Sequence, residues 1–267
     1  MQMGYTSLRP QVSGPGWFGV FRGLGRAGVG AVLAGSLSTC GPGHGTDCLK
    51  STGDIITQRR EVAAGLVTVT AFDNVDLRLV QDGQTYAEVR SGENLIDDIE
   101  FTRKGNALEI ANTSACNWAR SYDTPREVTL HLPRLTNLFL RGQGNVSTAG
   151  EFVQDTMFVH LIGAGDMDLA LKSKQLHTDQ YELGDMTLRG TADDMDFTLG
   201  GSGRLFAQGL VLRNCYVKLN RESDGNARVR ATQLVGGTVA GNGTLYYSGP
   251  PQATDIRVTG KGRAVPE

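Results

Sequence analysis

The 267-residue sequence has few of the residue types on which catalytic and metal-binding sites are commonly built. It contains four histidines, four cysteines and eight prolines, and aromatic residues make up 7% of the chain. The spacings CxxC and HxxxH do not occur, which argues against a zinc site, and no GxSxG marks the nucleophile of a serine hydrolase. We therefore expect a protein without catalytic machinery, bound metal or cofactor.

Helical periodicity and excess positive charge are also missing. No stretch longer than ten residues has a convincing 3.6-residue period, so helix should be nearly absent. The net charge is −2, and residues 40–267 alone hold 23 basic and 28 acidic residues, a net charge of −5. A mildly acidic domain has no electrostatic footprint for nucleic acid, so we expect no nucleic-acid partner. The 36 glycines instead suit many short strands joined by tight turns.

The N-terminal region has the pattern of an export signal. Residues 27–37 are apolar and follow three arginines, but are too few to span a bilayer as a helix. The tetrapeptide LSTC at 37–40 resembles a bacterial lipobox, although Thr39 departs from the usual Gly or Ala. We predict a lipoprotein-type signal peptide at residues 1–39 and lipidation at Cys40. Ordinary secretion with cleavage nearby, or a retained anchor helix, is the alternative.

The remaining cysteines follow the predicted anchor. Residues 40–54 are rich in glycine and polar residues, which predicts a tether. Export places Cys48, Cys116 and Cys215 in an oxidising compartment, where one disulfide can form. We predict the pair Cys48–Cys116, because both lie in loop-like sequence, whereas Cys215 lies in an apolar strand and is expected to be buried. The other pairings stay open.

From about residue 55 the sequence alternates with the period of two that is typical of strands. The segment 112–126 is irregular and is expected to be a long loop. Tight turns are predicted at Asp82-Gly83, between strands 75–80 and 86–90, and at 104–106, between strands 99–103 and 107–110.

The second half of the chain contains a repeat with a period near 20 residues. Each copy has a glycine, a turn residue and then an apolar residue, and most copies have an apolar residue four positions before the glycine. Stacked repeats of this length with strand-like alternation predict a right-handed parallel β-helix, or β-solenoid, after an N-terminal half of alternating strands. An antiparallel β-sandwich is the alternative. The repeat glycines are Gly144, Gly165, Gly184, Gly203, Gly225, Gly243 and Gly262.

The repeat also predicts the chemistry of one corner of the solenoid. Each glycine is expected to supply a positive φ at a sharp corner. The residue after it is expected to join an outer ladder with rungs about 4.8 Å apart. Within that ladder, Asp166 and Asp185 should repel and Arg204 should partly offset the repulsion. The full ladder is Asn145, Asp166, Asp185, Arg204 and Asn226.

Two groups of residues are candidates for ligand binding. Asp193, Asp194 and Asp196 form an acidic cluster that could provide the acid and base of a glycosidase or bind Ca²⁺. Coil-edge aspartates, however, more often cap turns through their own backbone. Tyr246 and Tyr247 could stack on a sugar or a partner, or could pack the terminal coil.

The chain resembles a family of exported bacterial proteins, the putative auto-transporter adhesin, head GIN domain family. The resemblance rests on the strand pair at 64–80, the segment 133–146 and the run 239–251 with the later GKG at 260–262. It covers residues 55–264 and implies an all-β, β-helix-like domain outside the cytoplasm. The resemblance does not imply a functional role for any particular residue.

Together these patterns favour a non-catalytic binding or adhesion module, anchored by lipid in the outer membrane on its periplasmic or outer face. Its expected partners are the membrane and an envelope glycan or protein. A structural protein that forms homo-oligomers edge to edge is the first alternative. A carbohydrate-active enzyme on a β-helix is the second.

Overall fold

Parallel strands stacked coil upon coil account for most of the chain in a computed structural model, which describes residues 51–114 and 124–267. Those residues form 18 strands and one short 3-10 helix, Ile96–Asp98. No helix in this part of the chain is long and apolar enough to span a membrane. The strands are β1 (Ile55–Glu61), β2 (Thr68–Asp73), β3 (Asp76–Gln81), β4 (Tyr86–Gly92), β5 (Ile99–Lys104), β6 (Ala107–Asn112), β7 (Glu127–Leu132), β8 (Asn137–Gly142), β9 (Val146–Thr148), β10 (Phe152–Val153), β11 (Thr156–Gly163), β12 (Met167–Glu182), β13 (Met186–Leu199), β14 (Leu205–Leu219), β15 (Ala227–Val239), β16 (Thr244–Ser248), β17 (Ala253–Val258) and β18 (Arg263–Pro266).

Each coil contributes one strand segment to each of two sheets, which we call sheet A and sheet B. Sheet A contains, in spatial order, β6, β2, β8, β11, the C-terminal parts of β12 to β15, and β17. Sheet B contains β7, β3, β9, the N-terminal parts of β12 to β15, β16 and β18. All these neighbours are parallel, which confirms the predicted β-solenoid and excludes the antiparallel sandwich.

The core lies between the two sheets because alternate side chains of both sheets point inward. Val69 and Ala71 of sheet A and Leu77 and Leu79 of sheet B belong to one continuous cluster of buried residues. Removing a leucine or valine side chain of this kind from water stabilises the fold by about 1.5–3 kcal/mol. The period of two in the sequence therefore specifies the inward face of every coil.

Inward residues from successive coils form columns, and one column gives the register of the fifth repeat, which lacks the apolar residue four positions before its glycine. Leu199 pairs with Leu219, and Leu219 pairs with Val239. The position four residues before Gly225 is Arg221, which is exposed. The 22-residue spacing of this copy adds two residues between Leu219 and Gly225, so the inward apolar position lies six residues before the glycine instead of four.

The N-terminal part of the domain is built out of sequence order. Strands β2 and β3 form a coil, and the chain then turns back to place β6 beside β2 and β7 beside β3. Strands β1, β4 and β5 extend this end with antiparallel pairs. The predicted turn between β5 and β6 is confirmed. The predicted hairpin at Asp82-Gly83 is wrong, because β7 lies between β3 and β4.

The repeat glycines stack directly on one another at one corner of the coils. None of the seven has a positive φ, so the predicted reason for them is wrong. A Cβ atom on Gly184 would instead overlap the carbonyl oxygen of Gly165, and one on Gly203 would overlap the carbonyl oxygen of Gly184. Glycine is required here because adjacent backbones approach too closely to leave room for a side chain.

The predicted tether and the four cysteines lie only partly within the residues that the structure describes. Residues 51–54 contact the domain: the N–H of Glu93 donates to the carbonyl of Asp54 at 2.8 Å, and the Asn94 amide donates to the carbonyl of Ser51 at 3.1 Å. Cys40, Cys48 and Cys116 lie outside the described residues, so the predicted lipidation and disulfide stay predictions. Cys215 is a free, buried thiol in β14.

Candidate functional site

The predicted outer ladder is present beside the glycine corner, where the side chain of one coil accepts a hydrogen bond from the backbone of the next. The N–H of Asp185 donates to the Asp166 carboxylate at 2.8 Å, and the N–H of Arg204 donates to the Asp185 carboxylate at 2.8 Å. The Arg204 guanidinium also reaches Asp185 at 2.7 Å, which raises the pKa of Arg204. Asn145 and Asn226 make equivalent bonds to the next coil. The ladder is therefore a structural feature of the corner.

The acidic cluster predicted at 193–196 is divided among three separate environments. Asp193 lies at a corner 4.0 Å from Arg213, and Asp194 accepts a hydrogen bond from the Asn214 amide at 2.7 Å. Asp196 points from the outer side of sheet A and lies 3.1 Å from Nδ1 of a histidine, His177. Each carboxylate is thus directed to a partner of its own. No group of three or more His, Cys, Asp or Glu residues within 51–114 and 124–267 could hold a metal ion.

Outside the core, sheet A presents an ordered surface that we call the A-face. Two straight rows on it, each formed by residues paired in register across neighbouring strands, repeat the order aromatic, histidine, aspartate in successive coils. Phe139 stacks on His160 with ring centroids 4.2 Å apart, and Nδ1 of His160 lies 2.5 Å from the Asp179 carboxylate.

The second row repeats the arrangement one coil further along. Phe158 stacks on His177 with centroids 4.8 Å apart, and His177 contacts Asp196. The Asp196 side chain is 61% exposed, compared with 25% for Asp179. Asp196 therefore keeps acceptor capacity for a ligand, whereas the first row is largely satisfied within the protein.

Two exposed tyrosines complete the A-face. Tyr216 pairs in register with Asp196, its neighbour in the preceding coil, and is 47% exposed. Its ring lies against Gly236 of the next coil, where an added Cβ would be 3.1 Å from the ring. Tyr181, 38% exposed, covers Gly200 in the same way. The missing side chains at these glycines leave space for both rings to lie along the sheet.

The predicted tyrosine pair is split between two faces. Tyr246 points outward from sheet B, with the Arg228 guanidinium 4.8 Å from its ring centroid. Tyr247 is partly buried and packs against the core. Successive strand residues point to opposite faces, so two adjacent tyrosines cannot form one binding platform.

Sequence reasoning missed the most organised part of the A-face. Phe139, His160 and Asp179 are each separated by about a coil length in the chain, and the parallel register alone brings them together. The signal that could have found them is the 21-residue and 19-residue spacing of these polar and aromatic positions, which matches the glycine spacing between the same coils.

Comparison with known proteins places these features in context. The profile of the family described as putative auto-transporter adhesin, head GIN domain, matches residues 66–251. A search of curated proteins gives no match. Among solved structures, a putative adhesin from Bacteroides fragilis NCTC 9343 is 20% identical with a TM-score of 0.68, over 80% of this chain and 97% of that chain.

Two structures from Parabacteroides distasonis ATCC 8503 are also similar. One, a putative lipid binding protein, is 21% identical with a TM-score of 0.60, over 80% of this chain and 97% of that chain. The other, a putative adhesin, is 23% identical with a TM-score of 0.59, over 80% of this chain and 98% of that chain. At these identities the likeness shows a shared fold.

Proposed function

Because the chain belongs to the putative auto-transporter adhesin, head GIN domain family, we propose that it is a non-catalytic adhesion module of the bacterial cell envelope that binds a glycan through the A-face. The observation that carries this proposal is the pairing of exposed Tyr216 with exposed Asp196 in adjacent coils. An aromatic ring offers an apolar surface to the C–H face of a sugar, and a carboxylate accepts hydrogen bonds from its hydroxyl groups.

The rigidity of the solenoid supports recognition of a polymer. Rungs about 4.8 Å apart repeat the outward positions at fixed spacing, so a chain of sugar units can contact several coils without ordering a mobile loop. Tyr181 and Tyr216 lie two coils apart on the same face, with Thr198 and Lys218 in the column beside Asp196 and Tyr216. These polar groups provide both donors and acceptors along the same path.

Binding to purified bacterial polysaccharides and peptidoglycan, measured by calorimetry on the folded domain, tests this function. Tyr216→Ala should weaken the interaction by about tenfold or more, whereas Tyr216→Phe should retain most of it. Val153→Ala, at an exposed site away from the A-face, is the matched control. Absence of binding to every polysaccharide, or equal binding by all variants, would overturn the proposal.

We further propose that the module is tethered to the outer membrane by lipid on Cys40. The apolar stretch before LSTC and the glycine after Cys40 support this, since an aspartate there would favour inner-membrane retention. Protease shaving of intact cells tests the location, with Cys40→Ala as the control for anchoring. Cleavage from whole cells that requires Cys40 supports a surface adhesin. If the domain resists the protease until the outer membrane is opened, it lies in the periplasm and cannot act as an adhesin.

The absence of catalysis is a separate part of the proposal. It is supported by the different partners of Asp193, Asp194 and Asp196, each of which engages a basic or amide group instead of another carboxylate. Hydrolysis assays on the polysaccharides that bind should show no turnover. Turnover that disappears in an Asp→Asn variant with unchanged folding would instead establish an enzyme.

Self-association is the second candidate function, and the open end of the solenoid favours it. Within the described residues, β17 pairs only with β15 and β18 only with β16. Val258 on β17 is 46% exposed. An unpaired strand edge can recruit another strand. Light scattering across a concentration series should then show oligomers that Val258→Lys dissociates, and a monomer at all concentrations would exclude this role.

A further inference from the structure

A cavity on the outward side of sheet B has the properties of an anion site. It lies across β14, β15 and β16 and has a volume of about 270 Å³. Phe206, Arg228 and Tyr246 stand in register on three successive coils and form its floor. The complete lining is Arg204, Leu205, Phe206, Asn226, Arg228 and Tyr246.

Both arginines of the cavity are held beside aromatic rings. The Arg228 guanidinium lies 4.8 Å from the Tyr246 ring centroid, and the Arg204 guanidinium lies 5.4 Å from the Phe206 ring centroid. Such contacts restrict long side chains that would otherwise lose rotamer freedom on binding. The two guanidiniums are therefore positioned before a ligand arrives.

Hydrogen-bond donors outnumber acceptors around this cavity. Asp185 engages Arg204 through Nε and Nη2. Glu267 is 3.8 Å from Arg228, beyond hydrogen-bond distance. Asn226 uses its Oδ1 to accept from the N–H of Thr244 at 2.7 Å, which leaves its NH₂ group as a donor.

The rim adds further positive charge. Arg230 follows Arg228 on the same face of β15, and Arg263 pairs in register with Thr244 beside the cavity. Neither arginine has an ion-pair partner among the described residues. Residues 40–267 as a whole carry a net charge of −5, so this patch has the opposite sign to the domain around it. Asp185 and Glu267 balance two of the four arginines, and the remaining positive charge favours an anionic group.

We propose that this cavity binds an anionic sugar unit. Its carboxylate or phosphate group would lie between Arg204 and Arg228, and its ring would lie against Tyr246 or Phe206. An aromatic floor distinguishes this site from one for a bare anion, and its single-unit size and the acidic domain around it disfavour a nucleic-acid backbone. The site is on the opposite sheet from the A-face and does not depend on the proposed function.

Titration calorimetry of the full domain with oligogalacturonate, neutral maltooligosaccharide and inorganic phosphate tests the proposal. Oligogalacturonate, or a sugar phosphate of similar size, should bind at least about tenfold more tightly than the neutral oligosaccharide, and the affinity should fall as salt is raised. Arg228→Gln and Tyr246→Ala should each reduce that affinity by about tenfold, while Tyr246→Phe retains it. Arg213→Gln, at an exposed arginine elsewhere, should have no effect.

Several results would overturn the proposal. Equal affinity for neutral and anionic sugars would show that the cavity does not select charge. Equal affinity for inorganic phosphate and for oligogalacturonate would show that the aromatic rings do not contribute to binding. Binding to vesicles of anionic phospholipid that Arg228→Gln abolishes, without sugar binding, would make the site a lipid-surface contact. Tyr216→Ala separates the two proposals, because it should weaken only binding through the A-face. Circular dichroism and thermal unfolding of each variant confirm that the fold is retained.

Discussion

The carbonyl oxygen of Gly165 occupies the space that a Cβ atom on Gly184 would need. The same relationship joins Gly184 to Gly203, Gly203 to Gly225 and Gly225 to Gly243. The corner of the solenoid is thus a continuous stack of backbones with no side chains between them. Whether these glycines can be replaced depends on the space for a side chain and not on backbone conformation, since none of them has a left-handed backbone.

Alanine at a stacked glycine should strongly destabilise the domain. We expect Gly184→Ala to lower the free energy of unfolding by about 2 kcal/mol or more, because an added methyl group forces adjacent coils apart. Gly150→Ala is the matched control, since nothing lies within 4 Å of its added Cβ and its φ is not positive. Urea unfolding of both variants measures the difference. Equal stability would show that the coils can separate at little cost.

The outer ladder should depend on acceptor geometry more than on charge. Asp166→Ala removes the acceptor for the N–H of Asp185 and should destabilise the domain by about 1 kcal/mol. Asp166→Asn keeps an oxygen in the same place and reduces the charge next to Asp185, so it should be close to neutral. Thermal unfolding at low salt compares the two. If Asp166→Asn lowers the stability of the domain as much as Asp166→Ala does, charge and not acceptor geometry determines the stability of the ladder.

The contact between His131 and Asp82, near the N-terminal end of the domain, should contribute to the loss of folding stability in acid. Nδ1 of His131 lies 2.6 Å from Asp82, and this hydrogen bond lowers the pKa of the Asp82 carboxyl group in the folded state. A lowered folded-state pKa gives stability that is present above the unfolded pKa, about 3.9, and lost as pH falls through the folded value.

The expected result is a difference in acid-side slope. Melting temperatures measured from pH 5 downward should fall less steeply for Asp82→Asn than for the parent chain below about pH 4. Asp224→Asn, at an exposed aspartate without an ion-pair partner among the described residues, serves as the control and should follow the parent curve. Parallel curves for parent and Asp82→Asn would show that the contact with His131 does not persist in solution.

The sequence predicts the features that every coil shares, but it does not predict the features in which one coil differs from the others. The alternation of Leu77 and Leu79 and the spacing of the glycines are properties of every coil, so periodicity alone specifies the solenoid and the ladder. Arg221 stands where most other copies have an apolar residue, because the inward Leu219 lies six residues before Gly225 instead of four. The antiparallel position of β4 depends on β7, which is distant in sequence, and a local turn signal at Asp82-Gly83 contains no information about it.

The candidate sites show the same division. Asp193, Asp194 and Asp196 are adjacent in sequence, but alternation and a corner direct them to three different surroundings. Conversely, Tyr216 and Asp196 are 20 residues apart and become neighbours through parallel register. Proximity along the chain is therefore a poor guide to sites in a solenoid, and the coil period is the useful measure of distance.

Cys215 provides a test that combines the core with the predicted disulfide. Its side chain is buried between Met195 and Val235 of the adjacent coils, and this burial raises the pKa of the thiol. A thiol that stays protonated and inaccessible does not react with alkylating agents. We expect iodoacetamide to leave Cys215 unmodified in the folded domain and to label it after unfolding in urea.

The labelling pattern without reductant then reports the other cysteines. In a Cys40→Ala chain produced in an oxidising compartment, a Cys48–Cys116 bridge would leave Cys215 as the one thiol labelled after unfolding, as read by peptide mass spectrometry. Labelling of all three after unfolding would exclude the bridge. Labelling of Cys215 in the native domain would contradict its burial. Since a partner would need to reach into the core between β13 and β15, we expect Cys215 to take no part in any disulfide.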